Sequence, residues 1–260
     1  MVLILTEGIW LNVILTSNKL CKVNWLMPTL LFVVAMGWNL EHTSITPIMI
    51  ETLPILAAIS QLLTSNGTVL EVDHNFNAAF FIGIAIMCYL PVAVFIVPFF
   101  FVFVTYKSYH WRDFIVAILG ITAPAIILFT YAFLTDKLDY YFILIRHDIL
   151  NVGLYISSQG VADIVKNIIF ILILLWALLS QISTLNDSTI QQRINTVLFI
   201  LPLLGAILML PYDKLFTIDT QPTALVFAFI GSNLLAADRK HAWMNEVLFW
   251  IIIITPIVVN

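Results

Sequence analysis

The chain has 260 residues, of which 62% are apolar and 10% are charged, and its formal net charge is -4. Soluble domains carry about 25% charged residues because their surface must face water, so this composition excludes a water-facing exterior for most of the chain. The small, dispersed net charge argues against nucleic acid as a partner. We therefore expect an all-α protein in which residues 1–260 form a single integral membrane domain.

Apolar segments recur along the whole chain, and each is a candidate membrane helix because about 20 apolar residues cross about 30 Å of hydrocarbon. Together they predict a polytopic transmembrane helix bundle with about 8–10 membrane helices. The candidate segments are 1–16, 25–39, part or all of 46–63, 76–105, 112–134, 162–181, 195–210, 222–236 and 243–259.

The basic residues set the expected orientation, because lysine and arginine stay on the cytoplasmic side of membrane helices. Lys19 and Lys22 follow the first segment, and Lys107 and Arg112 follow segment 76–105. Strict alternation of all the candidate helices would place these two groups on opposite sides of the membrane. For both groups to lie in the cytoplasm, the number of membrane crossings between them must be even, whereas the three candidate segments there give an odd number.

Two arrangements give an even number of crossings. In the first, 46–63 lies at the outer surface, because Glu51 and Pro54 interrupt its apolar run, and 76–105 crosses once. In the second, 46–63 crosses and 76–105 forms a hairpin that turns near Tyr89-Leu90-Pro91. The stretch between His74 and Lys107 has 32 residues without a charge, and one helix of that length would be about 48 Å long. This length exceeds the hydrocarbon thickness and favours the hairpin.

Either arrangement places seven of the eleven basic residues in the cytoplasm and the acidic excess outside. This distribution is typical of a bacterial inner membrane that faces a periplasm. Both arrangements also leave Met1 outside. A further helix in front of Met1 would place the N-terminus in the cytoplasm. The number of crossings therefore leaves open a missing N-terminal helix.

A block that begins at Asp73 has an ordered series of small, aromatic and polar residues. They are Asp73, Phe76, Asn77, Ala78, Gly83, Ala85, Tyr89, Trp111, Arg112, Gly120 and Pro124. The block resembles an uncharacterised family of polytopic inner-membrane proteins of Bacteroidota, and Lys240, Trp243 and Glu246 near the C-terminus follow the order of that family. The resemblance implies a cell-envelope membrane protein whose relatives usually begin with another helix.

The same block is similar, more faintly, to the cores of GT-C glycosyltransferases, which use a polyprenyl-phosphate-linked sugar. Where those enzymes usually have Lys-Tyr before the turn, this chain has Cys88-Tyr89. The similarity implies an acidic catalytic base in the first external loop and cationic side chains that hold the lipid phosphate. Glu41 fits the first role, and Glu51 is a second candidate because a carboxylate at membrane depth usually has a partner or a function.

The loop 135–163 contains the candidate phosphate ligands. It alternates apolar and charged residues, so we expect a short helix that lies on the membrane with Tyr140 and Tyr141 at the interface. Arg146 and His147 are the candidate ligands of a lipid phosphate in this helix. An interfacial helix with aromatic anchors and no ligand is the alternative.

The histidines are isolated from one another and from paired cysteines, so the sequence predicts no metal site and no cofactor. Ala79 and Gly83 form one small-xxx-small step, which is typical of closely packed membrane helices.

These patterns favour an accessory or scaffold protein in cell-envelope biogenesis that contacts membrane lipid and other envelope membrane proteins. A GT-C-like glycosyltransferase that uses polyprenyl phosphate is the first alternative. A transporter is the second, because prolines interrupt several of the apolar segments. The sequence leaves open whether the protein is an enzyme.

Overall fold

The computed structural model describes residues 2–21, 26–37, 47–64, 71–105, 110–151, 175, 179, 192–200, 221–236 and 250. Within these ranges every regular element is helical and no strand occurs, so the prediction of an all-α protein is confirmed for them. The predicted segments 162–181, 195–210 and 243–259 lie mostly or wholly outside the described residues.

The structure has eight α-helices and one 3₁₀ segment in the described part of the chain, and residues 192–200 are also helical. In chain order they are α1 (Val2–Ser17), α2 (Met27–Gly37), α3 (Pro47–Thr64), α4 (Val72–Cys88), the 3₁₀ segment Leu90–Phe95, α5 (Ile96–Thr105), α6 (Trp111–Leu134), α7 (Leu138–Asn151) and α8 (Gln221–Ala236).

The chain divides into two compact units. Unit 1 comprises Met1–Ile45, Ile156–Thr196 and Phe216–Asn260, and unit 2 comprises Thr46–Tyr155 and Val197–Leu215. The single integral membrane domain over residues 1–260 stays a prediction.

In unit 1, α2 packs against both α1 and α8. The Thr29 hydroxyl of α2 donates a hydrogen bond to the Gly8 carbonyl of α1 at 2.8 Å. A Cβ at Gly8 would lie 3.0 Å from the Thr29 methyl group, so the glycine permits this close approach. Residues 225–230 of α8 are completely buried. A helix that is apolar and buried on all sides forms the centre of its unit.

In unit 2, α4 packs against α3 on one side and α6 on the other. The Asn75 side chain, in the first turn of α4, donates a hydrogen bond to the carbonyl of Asp113 in the first turn of α6. Farther along, a Cβ at Gly120 would meet the Ala79 Cβ at 2.6 Å, and one at Gly83 would meet the Ile121 carbonyl oxygen at 2.5 Å. Contacts in this order make α4 and α6 parallel. They also confirm the predicted close packing at Ala79 and Gly83.

α3 runs antiparallel to α4. At one end, the side chains of Gln61 and His74 are hydrogen bonded, and at the other the Glu51 carboxyl group is within electrostatic range of the Cys88 thiol. Pro54 does not end α3, because its missing N–H affects only one bond in the early part of the helix.

The structure has the chain path of the predicted hairpin. Because α4 and α6 are parallel, the chain must return between them, and it does so through the 3₁₀ segment and α5. Their 6 and 10 residues cover about 27 Å. The predicted break falls at the end of α4, where Tyr89 is extended. Segment 76–105 is therefore not one continuous helix, since Tyr89 and the 3₁₀ segment interrupt it. Which of its parts cross a membrane stays a prediction.

α6 has two different faces. Its buried residues include Asp113, Ala117, Gly120 and Pro124, whose spacing follows one side of a helix. Among the described helices, α6 alone is long and apolar enough to cross a membrane, and 17% of its most apolar 18-residue stretch is buried. The other apolar helices, including α1, α2, α4 and parts of α3, α5 and α8, are shorter.

Candidate functional site

Polar side chains gather at one end of unit 2, where α4 and α6 begin. Asn75 is completely buried, and its amide nitrogen lies 2.8 Å from the Asp113 carbonyl oxygen. The Asp113 carboxylate accepts a hydrogen bond from the backbone N–H of His110 at 2.8 Å, and Asp73 lies in the first turn of α4. Acidic groups at helix N-termini stabilise the helix dipole. This cluster therefore caps and joins the two helices.

His74 links α4 to α3 at the same end. Its Nδ1 lies 2.9 Å from the Gln61 Oε1, and its Nε2 lies 3.7 Å from the Glu71 carboxylate. The Gln61 contact is within hydrogen-bond distance and joins the two helices, whereas the Glu71 contact is longer and stays at the start of α4. The arrangement is a polar side-chain contact between two helices, and it places no nucleophile beside a base.

Glu51, the predicted second catalytic carboxylate, lies in α3 at the opposite end of unit 2 and is 0% exposed. A general base must come within hydrogen-bond distance of its substrate, and a completely enclosed carboxyl group does so only if its surroundings open. The catalytic role of Glu51 stays a prediction.

The other predicted site residues differ in what the structure describes. Arg146 and His147 lie in α7, as the expected short helix, and the Arg146 side chain is exposed. α7 contacts the 3₁₀ segment that follows Cys88, so it lies at the same end of unit 2 as Glu51. The side chain of His147 and the whole of Glu41 lie outside the described residues.

Unit 1 contains a second polar cluster, between the ends of α1 and α8. The Asn233 amide donates a hydrogen bond to the Leu20 carbonyl at 3.0 Å, and the Cys21 thiol lies 3.2 Å from the Ser232 hydroxyl. The Asn233 Oδ1 is buried and has no hydrogen-bond partner among the described groups. Asn233 thus joins α8 to the turn that follows α1, as Asn75 joins α4 to α6, in each case through a backbone carbonyl.

Sequence reasoning missed both asparagines. Asn75, Ala79 and Gly83 follow one another at steps of four residues on a single helix face, and this line predicts where a partner helix packs closely. A polar residue on such a line is a candidate for an interhelical hydrogen bond. Asn233 had no comparable signal, because α8 is apolar on every side.

The described residues offer little to a cofactor. They contain no group of three or more His, Cys, Asp or Glu side chains able to hold a metal ion. A cavity of about 40 Å³ lies among α3, α4, the 3₁₀ segment and α5, and its walls, which include Ile59, Ile82 and Phe95, are apolar. These wall residues carry no group for acid–base or nucleophilic chemistry.

No protein-family model, curated protein or solved structure matches this chain. The resemblances to the Bacteroidota family and to GT-C cores stay expectations.

Proposed function

We propose that this protein is a multi-pass integral protein of a bacterial inner membrane and acts as an accessory or scaffold component in cell-envelope biogenesis. The exposed face of α6 carries the membrane part of this proposal. Between residues 114 and 130 that helix contains no charged residue, and its large exposed side chains there are Ile115, Ile118, Leu119, Ile126 and Ile127.

The only polar side chains on that face are Thr122 and Thr130, and each hydroxyl donates to a carbonyl of its own helix, at 2.9 Å and 2.7 Å. Trp111 and Tyr131 lie near the two ends of the face and are 72% and 58% exposed, and exposed apolar residues continue past Tyr131 to Phe133 and Leu134. Trp111 and Tyr131 are separated by about 30 Å along the helix axis, which is the thickness of the hydrocarbon. Aromatic residues at both ends of an apolar helix are typical of membrane interfaces.

A water-soluble fold does not account for this face. The core helix of a soluble protein is mostly buried, whereas α6 exposes its large apolar residues and buries small ones. A continuous apolar stripe about 30 Å long marks a surface that contacts lipid or another protein. Lipid contact explains the large residues outside, and close helix packing explains the small residues inside.

The scaffold role is supported by how the polar groups are used. Asn75, His74 and Asn233 join helices to one another, and each contact fits a structural function. α1 carries a second exposed stripe, formed by Val2, Leu5, Ile9 and Val13. Such stripes are suited to lipid or to the helices of other membrane proteins.

The membrane part is tested with a nitroxide at Thr122→Cys, in a background without Cys21 and Cys88, in lipid nanodiscs. Thr122 lies about 14 Å from Tyr131 along the axis, so the nitroxide should collide with oxygen and be shielded from a water-soluble nickel complex. Asp73→Cys, at the exposed start of α4, is the control and should give the opposite result. A label at Thr122 that is open to the nickel complex would overturn the proposal.

The scaffold part is tested by native mass spectrometry of the protein gently extracted from its own membrane. A stoichiometric partner protein is expected. A bound polyprenyl-phosphate-linked sugar would instead favour the GT-C-like glycosyltransferase and would direct attention to Glu41 and Arg146. Transport stays the second alternative.

A further inference from the structure

We infer that α7 lies in the headgroup layer of the membrane and that Arg146 binds the phosphate of an anionic phospholipid there. This inference rests on the proposed function, because it takes its level from the membrane-facing surface of α6. The partner is a lipid headgroup, and no soluble ligand is involved.

The turn between α6 and α7 fixes where α7 begins. The N–H of Lys137 bonds to the Ala132 carbonyl at 2.9 Å, the N–H of Asp136 bonds to the Phe133 carbonyl at 3.2 Å, and Asp136 has a φ of 53°. This is a Schellman motif, which ends a helix within one residue. α7 therefore starts at Leu138, four residues after α6 ends at Leu134, close to the end of the hydrocarbon-facing surface.

A contact between two aromatic rings then fixes the position of α7 along the axis of α6. Phe142 packs against Phe129 of α6 with the ring centroids 5.6 Å apart. Phe129 precedes Tyr131 by two residues, or about 3 Å along the axis. Phe142 thus lies within a few ångströms of the aromatic boundary. α7 contacts α6 far less than α4 does, so it does not run back along α6 into the bilayer.

The exposed side chains of α7 fit a position at the boundary between hydrocarbon and water. Leu138, Tyr141 and Ile145 are partly covered, whereas the exposed set combines three large apolar residues with two charges. It consists of Tyr140, Phe142, Ile143, Asp139 and Arg146. Hydrocarbon would not solvate the charges, and water would not favour the apolar group. The boundary between the two satisfies both, and there a guanidinium meets lipid phosphates.

The level of α7 is tested with a nitroxide at Ile143→Cys in the same cysteine-free background, measured beside Thr122→Cys in nanodiscs. The Ile143 label should lie about 5–10 Å deep, clearly shallower than the label at Thr122. With Thr122 at mid-bilayer, an Ile143 label in water or as deep as Thr122 would overturn the inference and leave the proposed function intact. A Thr122 label in water would overturn both.

The phosphate contact is tested by adding phosphatidylglycerol to the detergent-solubilised protein and counting bound lipids by native mass spectrometry. Arg146→Gln should weaken binding about fivefold, while Arg146→Lys, which keeps the charge, should retain most of it. Unchanged binding in Arg146→Gln would contradict the assignment. A loss confined to undecaprenyl phosphate, added in a parallel series, would also contradict it and would support the glycosyltransferase alternative.

Discussion

The amide nitrogen of Asn75 lies 2.8 Å from the carbonyl oxygen of Asp113, although 38 positions separate the two residues in the chain. This bond joins the first turns of α4 and α6, and the later close approaches of Gly120 to Ala79 and of Gly83 to Ile121 show that both helices run in the same direction. The intervening residues must then return to the starting end, which is the path that the 3₁₀ segment and α5 provide. This ordered series of contacts thus distinguishes two chain paths that hydropathy alone leaves open.

We predict that Asn75→Asp destabilises the protein by about 2 kcal/mol. The substitution keeps the shape of the side chain but replaces the donor with an oxygen that faces the Asp113 carbonyl oxygen in a buried setting. The measurement is the thermal unfolding midpoint of the detergent-solubilised protein, followed by tryptophan fluorescence. Asn77→Asp introduces the same group at an exposed site on the same helix and should have little effect. Equal losses in the two variants would contradict a specific role for Asn75.

Gly120→Ala should be among the most destabilising single-methyl additions in the chain. The new Cβ would lie 2.6 Å from the Ala79 Cβ and 2.8 Å from the Phe76 carbonyl oxygen, so α4 and α6 must separate. The expected loss is about 1–3 kcal/mol, again measured as an unfolding midpoint.

Gly231→Ala is the matched control for Gly120. Its new Cβ would meet only the end of the Leu31 side chain, at 3.2 Å, and that side chain can shift. We expect a clearly smaller loss at Gly231. If the two alanine variants lose equal stability, the close packing of α4 on α6 is not what makes Gly120 necessary.

Lys19→Gly should stabilise the protein. Lys19 has a φ of 55° and follows α1 in a Schellman motif, in which the N–H of Leu20 bonds to the Leu15 carbonyl at 2.9 Å. Glycine adopts this conformation without the steric cost of a Cβ, so we expect a gain of about 1 kcal/mol. Lys19→Ala removes the same charge and keeps the Cβ. A rise in the midpoint for alanine as large as for glycine would show that charge, and not backbone conformation, is responsible.

The sequence predicts the helices of unit 2 well, because long apolar runs and proline or aromatic breaks are local signals. The predicted segment 112–134 corresponds to α6, Trp111–Leu134, and the predicted segment 46–63 corresponds to α3, Pro47–Thr64. The turn predicted at Tyr89-Leu90-Pro91 lies between α4 and the 3₁₀ segment. The direction of α4 relative to α6 follows from contacts between residues far apart in the chain, which no local pattern reveals.

The candidate site was harder to predict for the same reason. Hydropathy identifies Glu51 as an unusual carboxylate in an apolar run, but its complete burial depends on how α3 packs in its unit. Arg146 was placed correctly in a short helix, since the alternation of apolar and charged residues there is a local signal. The depth proposed for that helix rests on the Phe129–Phe142 contact, which joins two different helices.

The most direct test of the central claim is thiol labelling of two single-cysteine variants, Asp73→Cys and Lys137→Cys, in sealed membrane vesicles of both orientations. Both positions are exposed, and they lie at opposite ends of the bundle formed by α4 and α6. If α6 crosses the bilayer, an impermeant maleimide will reach Asp73→Cys only from the cytoplasmic side and Lys137→Cys only from the periplasmic side. Labelling of both variants from the same side would contradict the crossing and, with it, the proposed membrane bundle.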